Sequence, residues 1–483
     1  DCSFADLGID SLTLAELRAD LRALLEEHGA GELAEDVNTR LLQRLTVCEF
    51  FGLMRQFGEG SDKPREALRQ ALDQISAEYE AREISQMRAD ARLPLPALAP
   101  ARAQAPSDIL LTGATGFLGP FLLSSLLERT SYTLHALVRA TDAAHGLDRI
   151  VASLRRARLW SAALEAEVRA RVRVVCGDLA EPRLGIGEAG FRQLTETVDA
   201  VVHNGALVNY VRTYDALRAA NVAGTHDLLR LAMTGHRKAF HLVSSTFIYG
   251  WSVKPVVGES DANTEMTALD FGYSQTKWVA EQLAFAAQRQ GLDVRIYRPS
   301  LISPTSAGFG SQDDILVRTM TFMIEHGIAA NALNQLSLLP ADLIADHIVA
   351  LMELPTDDTG GGHIYNMTAD HYYNLMDITR VLSERYGYRF DYHDIPSFAE
   401  QMNRRCTPQD PIYPLVDFLT RSADKIAAMR DKRYGNTQYR HARGLAKVHL
   451  REPALTETVD NLIRFLRSQG LITESRSEKR RIA

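Results

Sequence analysis

The sequence predicts an α/β protein built on a doubly wound parallel sheet, followed by a mainly helical portion and preceded by a small helical domain. Three observations predict it. From Asp108 onward, short apolar runs alternate with longer segments of helical spacing, the pattern of right-handed strand–helix–strand crossovers. A glycine-rich turn follows the first of those runs. Ahead of them, residues 1–80 place Leu12, Leu14, Leu17, Leu21 and Leu24 at helical spacing.

At 483 residues the chain exceeds one ordinary domain. A net charge of -7 argues against nucleic acid as a partner, since phosphate neutralisation needs clustered Lys and Arg. The one basic cluster, Lys479-Arg480-Arg481, reads as a solvated terminus. No apolar run approaches the ~20 residues that span a bilayer, so no membrane association is expected. Cys2, Cys48, Cys176 and Cys406 stand far apart, which suits a reducing cytoplasm rather than a disulfide framework. The opening Asp1-Cys2-Ser3-Phe4 has neither a starting Met nor a basic n-region, as expected of a piece of a longer polypeptide.

In chain order, 1–80 is the helical domain and 81–107 a linker, the part from about 92 being rich in Ala and Pro. Residues 108–300 form the sheet domain. Its strands are expected at Ile109–Thr112, Thr133–Val138, Val172–Val175, Ala200–His203, Ala239–Ser244 and Val294–Tyr297. Residues 301–475 are mainly helical and substrate-binding, with a return strand near 363–367.

The run from Ile109 to Gly119 is a buried strand, a turn and a helix start in that order. Gly113, Gly116 and Gly119 follow GxxGxxG spacing, which lets backbone approach a pyrophosphate seated at the helix N-terminus. Thr112, Thr115, Phe117 and Leu118 complete this dinucleotide turn of a Rossmann domain, and Pro120 fits a first helical turn. The second strand ends in Arg139, where an NAD site usually has Asp or Glu. An arginine there can pair with a 2′-phosphate, which points to NADP, with Arg149 a second candidate. Asp178 and Leu179 follow the third strand and are expected to meet the adenine. Asn204, Gly205 and Ala206 follow the fourth and come close to the cofactor. Cys176 reads as a core thiol.

Tyr273-Ser-Gln-Thr-Lys277 puts a tyrosine and a lysine on one helix face. The ammonium is expected to hold the nicotinamide ribose, so that Tyr273 and Lys277 also count as cofactor-binding. It is also expected to lower the phenol's pKa and make it a proton donor near neutral pH. Preceding it, Leu242-Val-Ser-Ser-Thr-Phe-Ile-Tyr-Gly250 closes a strand. Ser245 is the choice for the hydroxyl that orients a carbonyl oxygen, with Thr246 its rival. Asn221 is expected to brace backbone.

Together these motifs resemble the extended short-chain dehydrogenase/reductase superfamily. More narrowly, they resemble the thioester reductase domains that end nonribosomal peptide and polyketide assembly lines, relatives of carboxylic acid and aminoadipate reductases. The resemblance covers roughly 85–470. It rests on the Thr112–Gly119 turn with Leu137-Val-Arg-Ala140, Gly177-Asp-Leu179, His203-Asn-Gly-Ala206, Asn221-Val-Ala-Gly-Thr225, Tyr273-Ser-Gln-Thr-Lys-Trp278 and Tyr297-Arg-Pro299. Ser300, where such domains often have Gly, and the doubled Ser244-Ser245 depart from the family pattern. At the N-terminus, Asp6-Leu-Gly-Ile-Asp-Ser-Leu12 resembles the attachment motif of acyl and peptidyl carrier domains, here cut short upstream.

The resemblance implies a 4′-phosphopantetheine on Ser11, an acyl or peptidyl thioester delivered by a carrier domain, and upstream synthase modules. It implies NADPH-dependent release of that thioester as an aldehyde, with a second reduction to the alcohol left open. Two other readings share the nucleotide fold: a sugar-nucleotide epimerase or ketone reductase, and a silent module that senses NADP(H).

Overall fold

The computed structural model describes residues 9, 11–27, 37–58, 64–103, 105–355, 363–448 and 451–473. Its centre is a seven-stranded, all-parallel sheet: β1 (Asp108–Thr112), β2 (Thr133–Val138), β3 (Val172–Cys176), β4 (Ala200–His203), β5 (Ala239–Val243), β6 (Val294–Pro299) and β7 (Ile364–Met367). The spatial order is β3-β2-β1-β4-β5-β6-β7, so the winding reverses between β1 and β4. In doubly wound sheets the ligand crevice lies at the carboxyl ends of the strands, beside that reversal.

Both faces of the sheet are covered, which is why its strands read as nearly continuous apolar runs. Successive residues of β1 serve opposite cores. Leu111 packs with Leu122 and Leu126 of the helix Gly119–Arg129 and with Ile344 and Ile348 of the helix Ala341–Met352. Leu110 packs with Leu228 of the helix Gly224–Met233 and Leu283 of the helix Gly272–Arg289. β7 comes from the C-terminal portion and completes the sheet beside β6, where Tyr365 stacks on Tyr297. The sheet therefore extends beyond the 108–300 segment. A third core, containing Met320, Leu382, Met402 and Leu462, gathers the C-terminal helices against Tyr210 and Tyr273.

The helix Pro64–Asp90 runs past residue 80, so the expected linker opens as helix. Met87 is wholly buried in the core beneath it. Asp90 accepts from the Tyr214 hydroxyl at 2.7 Å and from both forks of Arg218 at 2.6 and 2.7 Å. Leu93, Leu95 and Leu98 continue along the same core. This stretch is laid on the sheet domain rather than spanning free space.

Further upstream stand the helices Ser11–Glu27, Thr39–Arg44 and Val47–Gly58. Leu14, Leu21 and Leu25 form the buried stripe of the first and meet Leu41, Leu42 and Leu45. Leu12 and Leu24 lie off that stripe and are exposed. The group is anchored by Asp417, whose carboxylate accepts from the Thr39 amide at 3.1 Å and its hydroxyl at 2.5 Å. Arg18 pairs with the same carboxylate at 3.0 Å. Asp6, Asp10 and the tail cluster 479–481 lie outside the described residues, as does the side chain of Ser11, whose backbone opens the first helix. Among the described residues no helix is long and apolar enough to cross a membrane, and no group of His, Cys, Asp and Glu could hold a metal ion.

Candidate active site

The glycine turn after β1 is held against the turn after β4. Gly113 has φ +71°, and a Cβ there would lie 2.7 Å from the Gly205 Cα. At Gly119 a Cβ would strike the Gly113 carbonyl. Only glycine fits either place. Thr112 locks the pair from behind: its hydroxyl accepts the Gly205 amide at 2.9 Å and meets His203 Nδ1 at 2.9 Å. His203 Nε2 meets the Thr225 hydroxyl at 2.9 Å, while that hydroxyl donates to the Asn221 carbonyl. Nε2 therefore carries the hydrogen, and Nδ1 accepts from Thr112. Burial, helped by the nearby Lys277 charge, pushes His203 down to about 3, so it stays neutral.

Two cavities share Gly113, Gly116, Gly205 and Ala206. One, of about 250 Å³, is lined by Thr115, Arg139, Arg149, Asp178 and Leu179. Arg139 is exposed and forms no ion pair among the described residues, and Arg149 donates to its backbone carbonyl. The other, of about 200 Å³, is lined by Phe117, Leu118, Asn204, Ser244, Ser245, Tyr273 and Lys277. Thr112, Gly119 and Thr246 line neither cavity. The first two shape the turn instead. A glycine cradle that admits no Cβ fits the close approach of a dinucleotide's pyrophosphate.

Tyr273 and Lys277 lie one turn apart on the helix Gly272–Arg289. Lys277 Nζ donates to the Val243 carbonyl at 2.8 Å and stands 6.0 Å from the centroid of the Tyr273 ring. Burial pushes Lys277 down to about 8, opposed by Glu281. The same burial pushes the Tyr273 phenol above its ordinary value. The expectation that Lys277 lowers that pKa is corrected here: desolvation dominates, and the phenol is held protonated.

The hydroxyls at the end of β5 differ in hydrogen-bond direction. Ser244 donates to Glu281 Oε1 at 2.5 Å, which commits its proton. Ser245 accepts the Phe247 amide at 3.2 Å as the cap of a short 3₁₀ turn, which leaves its O–H free to donate. Thr246 is hydrogen-bonded to the Tyr434 phenol. Asn221 sits in a single π-turn and grips the Leu207 backbone, accepting its amide at 2.7 Å and donating to its carbonyl at 3.0 Å. Sequence reasoning missed Asp314, whose carboxylate lines the cleft, caps the helix Ile315–His326 and is pushed up to about 6 by burial. It also missed Glu281, although its place one turn beyond Lys277 was a readable signal.

An NAD-binding family described as male sterility protein matches residues 111–348. A component of the linear gramicidin synthase of Brevibacillus parabrevis is 38% identical over 271 residues, 55% of this chain but only 5% of that protein. A solved terminal R domain from the myxalamid PKS-NRPS pathway is 30% identical. The match covers 81% of this chain and 99% of that one, with a TM-score of 0.74. The chain belongs to the terminal reductase-domain family of these synthetases. The reductase is thus an oxidoreductase of the short-chain dehydrogenase/reductase type with a nicotinamide-binding domain. A thiolation-reductase di-domain from an archaeal non-ribosomal peptide synthetase covers 97% of the reductase chain, itself covered to 93%, with a TM-score of 0.68. At 19% identity it shares the fold, including the N-terminal helices.

Proposed function

We propose that this chain uses NADPH to reduce an acyl or peptidyl thioester, carried on phosphopantetheine, to an aldehyde and a free thiol. The observation that carries the reading is the convergence of the Ser245, Tyr273 and Lys277 side chains on one cleft that opens beside the glycine turn. Family membership supports reduction as the chemistry. Arg139 and Arg149, on the wall of the adjoining cavity, support NADPH over NADH.

In this reading the glycine turn and the Asn204–Ala206 backbone seat the cofactor, and the two arginines meet its 2′-phosphate. When bound, NADPH supplies the hydride received by the thioester carbonyl carbon. Ser245 donates its free O–H to the carbonyl oxygen, and Tyr273 donates to the same oxygen. Such preorganised donors each contribute about 3 kcal/mol to a developing oxyanion. Tyr273 then gives up its proton, and the Lys277 ammonium stabilises the phenolate left behind. The thiohemiacetal collapses to aldehyde and thiol. The residue carrying the pantetheine is Ser11, at the start of the first helix, and upstream synthase modules supply the acyl chain.

Incubating the protein with NADPH and a panel of acyl-pantetheine thioesters, while following NADPH oxidation and product identity, tests this. Aldehyde with equimolar thiol is expected. NADPH oxidation on none of the panel overturns it. Loading is tested separately: a phosphopantetheinyl transferase should add one pantetheine mass to the parent and none to Ser11→Ala.

A further inference from the structure

The helix Gly272–Arg289 carries a third polar side chain on the face that holds Tyr273 and Lys277. Glu281 lies one turn beyond Lys277 and is 2% exposed. Its carboxylate receives a two-pronged bond from Arg298, Nε at 2.9 Å and Nη2 at 2.6 Å, and Arg298 is equally buried. The remaining Arg298 nitrogen donates to the Tyr249 hydroxyl and, at 3.0 Å, to the Glu259 carbonyl. Glu281 Oε1 also accepts the Ser244 hydroxyl at 2.5 Å. Consecutive residues at the end of β5 are thus pinned to one helix: Val243 by Lys277 and Ser244 by Glu281.

Stability alone does not explain an ion pair in this place. Desolvating two charges is expensive, and well-packed apolar residues often hold a fold equally well. What such a pair does supply is direction. A fixed carboxylate dictates where the Ser244 hydroxyl points, and Ser244 is bonded through the chain to Ser245.

We propose that Glu281, clamped by Arg298, is a positioning residue that aims the Ser245 hydroxyl at the substrate carbonyl by holding Ser244. Glu281 lines neither cavity. The inference rests on the thioester reduction proposed above.

Two variants test it in the full chain. Ser244→Ala removes the held hydroxyl and leaves the ion pair in place. Glu281→Leu with Arg298→Met removes both charges together, so that neither is left buried alone. NADPH affinity by fluorescence, the thermal midpoint, kcat and KM are measured for each and for the combination. Misaimed catalytic groups lose roughly tenfold to hundredfold in rate, so kcat should fall by that factor in each variant, with NADPH affinity and KM near the parent. The combined variant should lose no more than the larger single loss, because both act through one hydroxyl. Ser244→Ala with a parental kcat overturns the proposal, as do losses that multiply. If the charge-free variant does not fold, Ser244→Ala alone decides on the same criterion. A parent that reduces no thioester removes the reading beneath the proposal and the proposal with it.

Discussion

The Lys277 ammonium donates to the Val243 carbonyl at 2.8 Å, which ties the helix bearing Tyr273 to the strand end bearing Ser245. That bond ties together the two groups that the proposed mechanism uses as donors. It also takes a charged amine into a site where burial opposes its charge.

Tyr273→Phe keeps the ring in its aromatic setting beside Tyr210 and removes the proton donor. Turnover should fall on the order of 10²–10⁴-fold, the usual contribution of a positioned acid, with NADPH affinity little changed. Rates within a factor of about three of the parent would remove Tyr273 from the mechanism. Ser245→Ala should also lose most turnover, whereas Thr246→Ala, which lines neither cavity, should lose far less.

Lys277 makes a statement about pH. Its folded value is pushed down to about 8, below that of an ordinary lysine. Turnover that needs the ammonium should therefore decline as pH rises through about 8. Across the window from there to the ordinary lysine value, the unfolded chain holds more protons than the folded one. This group's contribution to stability therefore rises with pH in that window. Loss of rate there should be accompanied by an undiminished thermal midpoint. A flat rate profile through that range would contradict the assignment.

Arg139 should set the cofactor preference. NADPH is expected to exceed NADH by at least ~1.4 kcal/mol, a tenfold ratio in kcat/KM. Arg139→Ala should shrink the ratio by lowering the NADPH value. Equal use of both cofactors by the parent would contradict the role given to the arginine.

Much of this was legible in the sequence because it is local. Strand–turn–helix order, the glycine spacing and the Tyr-to-Lys interval each lie within about a dozen residues. The rest depended on partners far along the chain. The described outer faces of the helix Pro64–Asp90 are mostly polar, and Met87 and Asp90 reveal their burial only against residues such as Tyr214. β7 was readable as a strand, but its seat beside β6 depends on pairing 68 residues apart, as in Ile364 with Ile296. The proposed choice of Ser245 over Thr246 is supported by hydrogen-bond direction, which no spacing encodes. The lysine's effect on Tyr273 was misjudged because burial of the phenol, which the Tyr-to-Lys interval does not reveal, raises its pKa.

Asp417 should hold the N-terminal helices to the reductase. It receives Thr39 twice and pairs with Arg18 and Arg421. Hydrogen bonds to a charged group contribute about 1.5–3 kcal/mol. Asp417→Ala should therefore speed amide exchange in the segments 11–27 and 39–44, while amides of the central sheet keep the parental rate. Unchanged exchange in both segments would mean the contact carries no docking energy.

The central claim is hydride transfer to a thioester carbonyl, and isotope transfer tests it most directly. The protein is given NADPH deuterated at the transferable position together with an acyl-pantetheine thioester, and the products are analysed by mass spectrometry. One deuterium on the aldehyde carbon, with one free thiol released per cofactor oxidised, is the predicted result. Unlabelled product, or thiol release without cofactor oxidation, would contradict it.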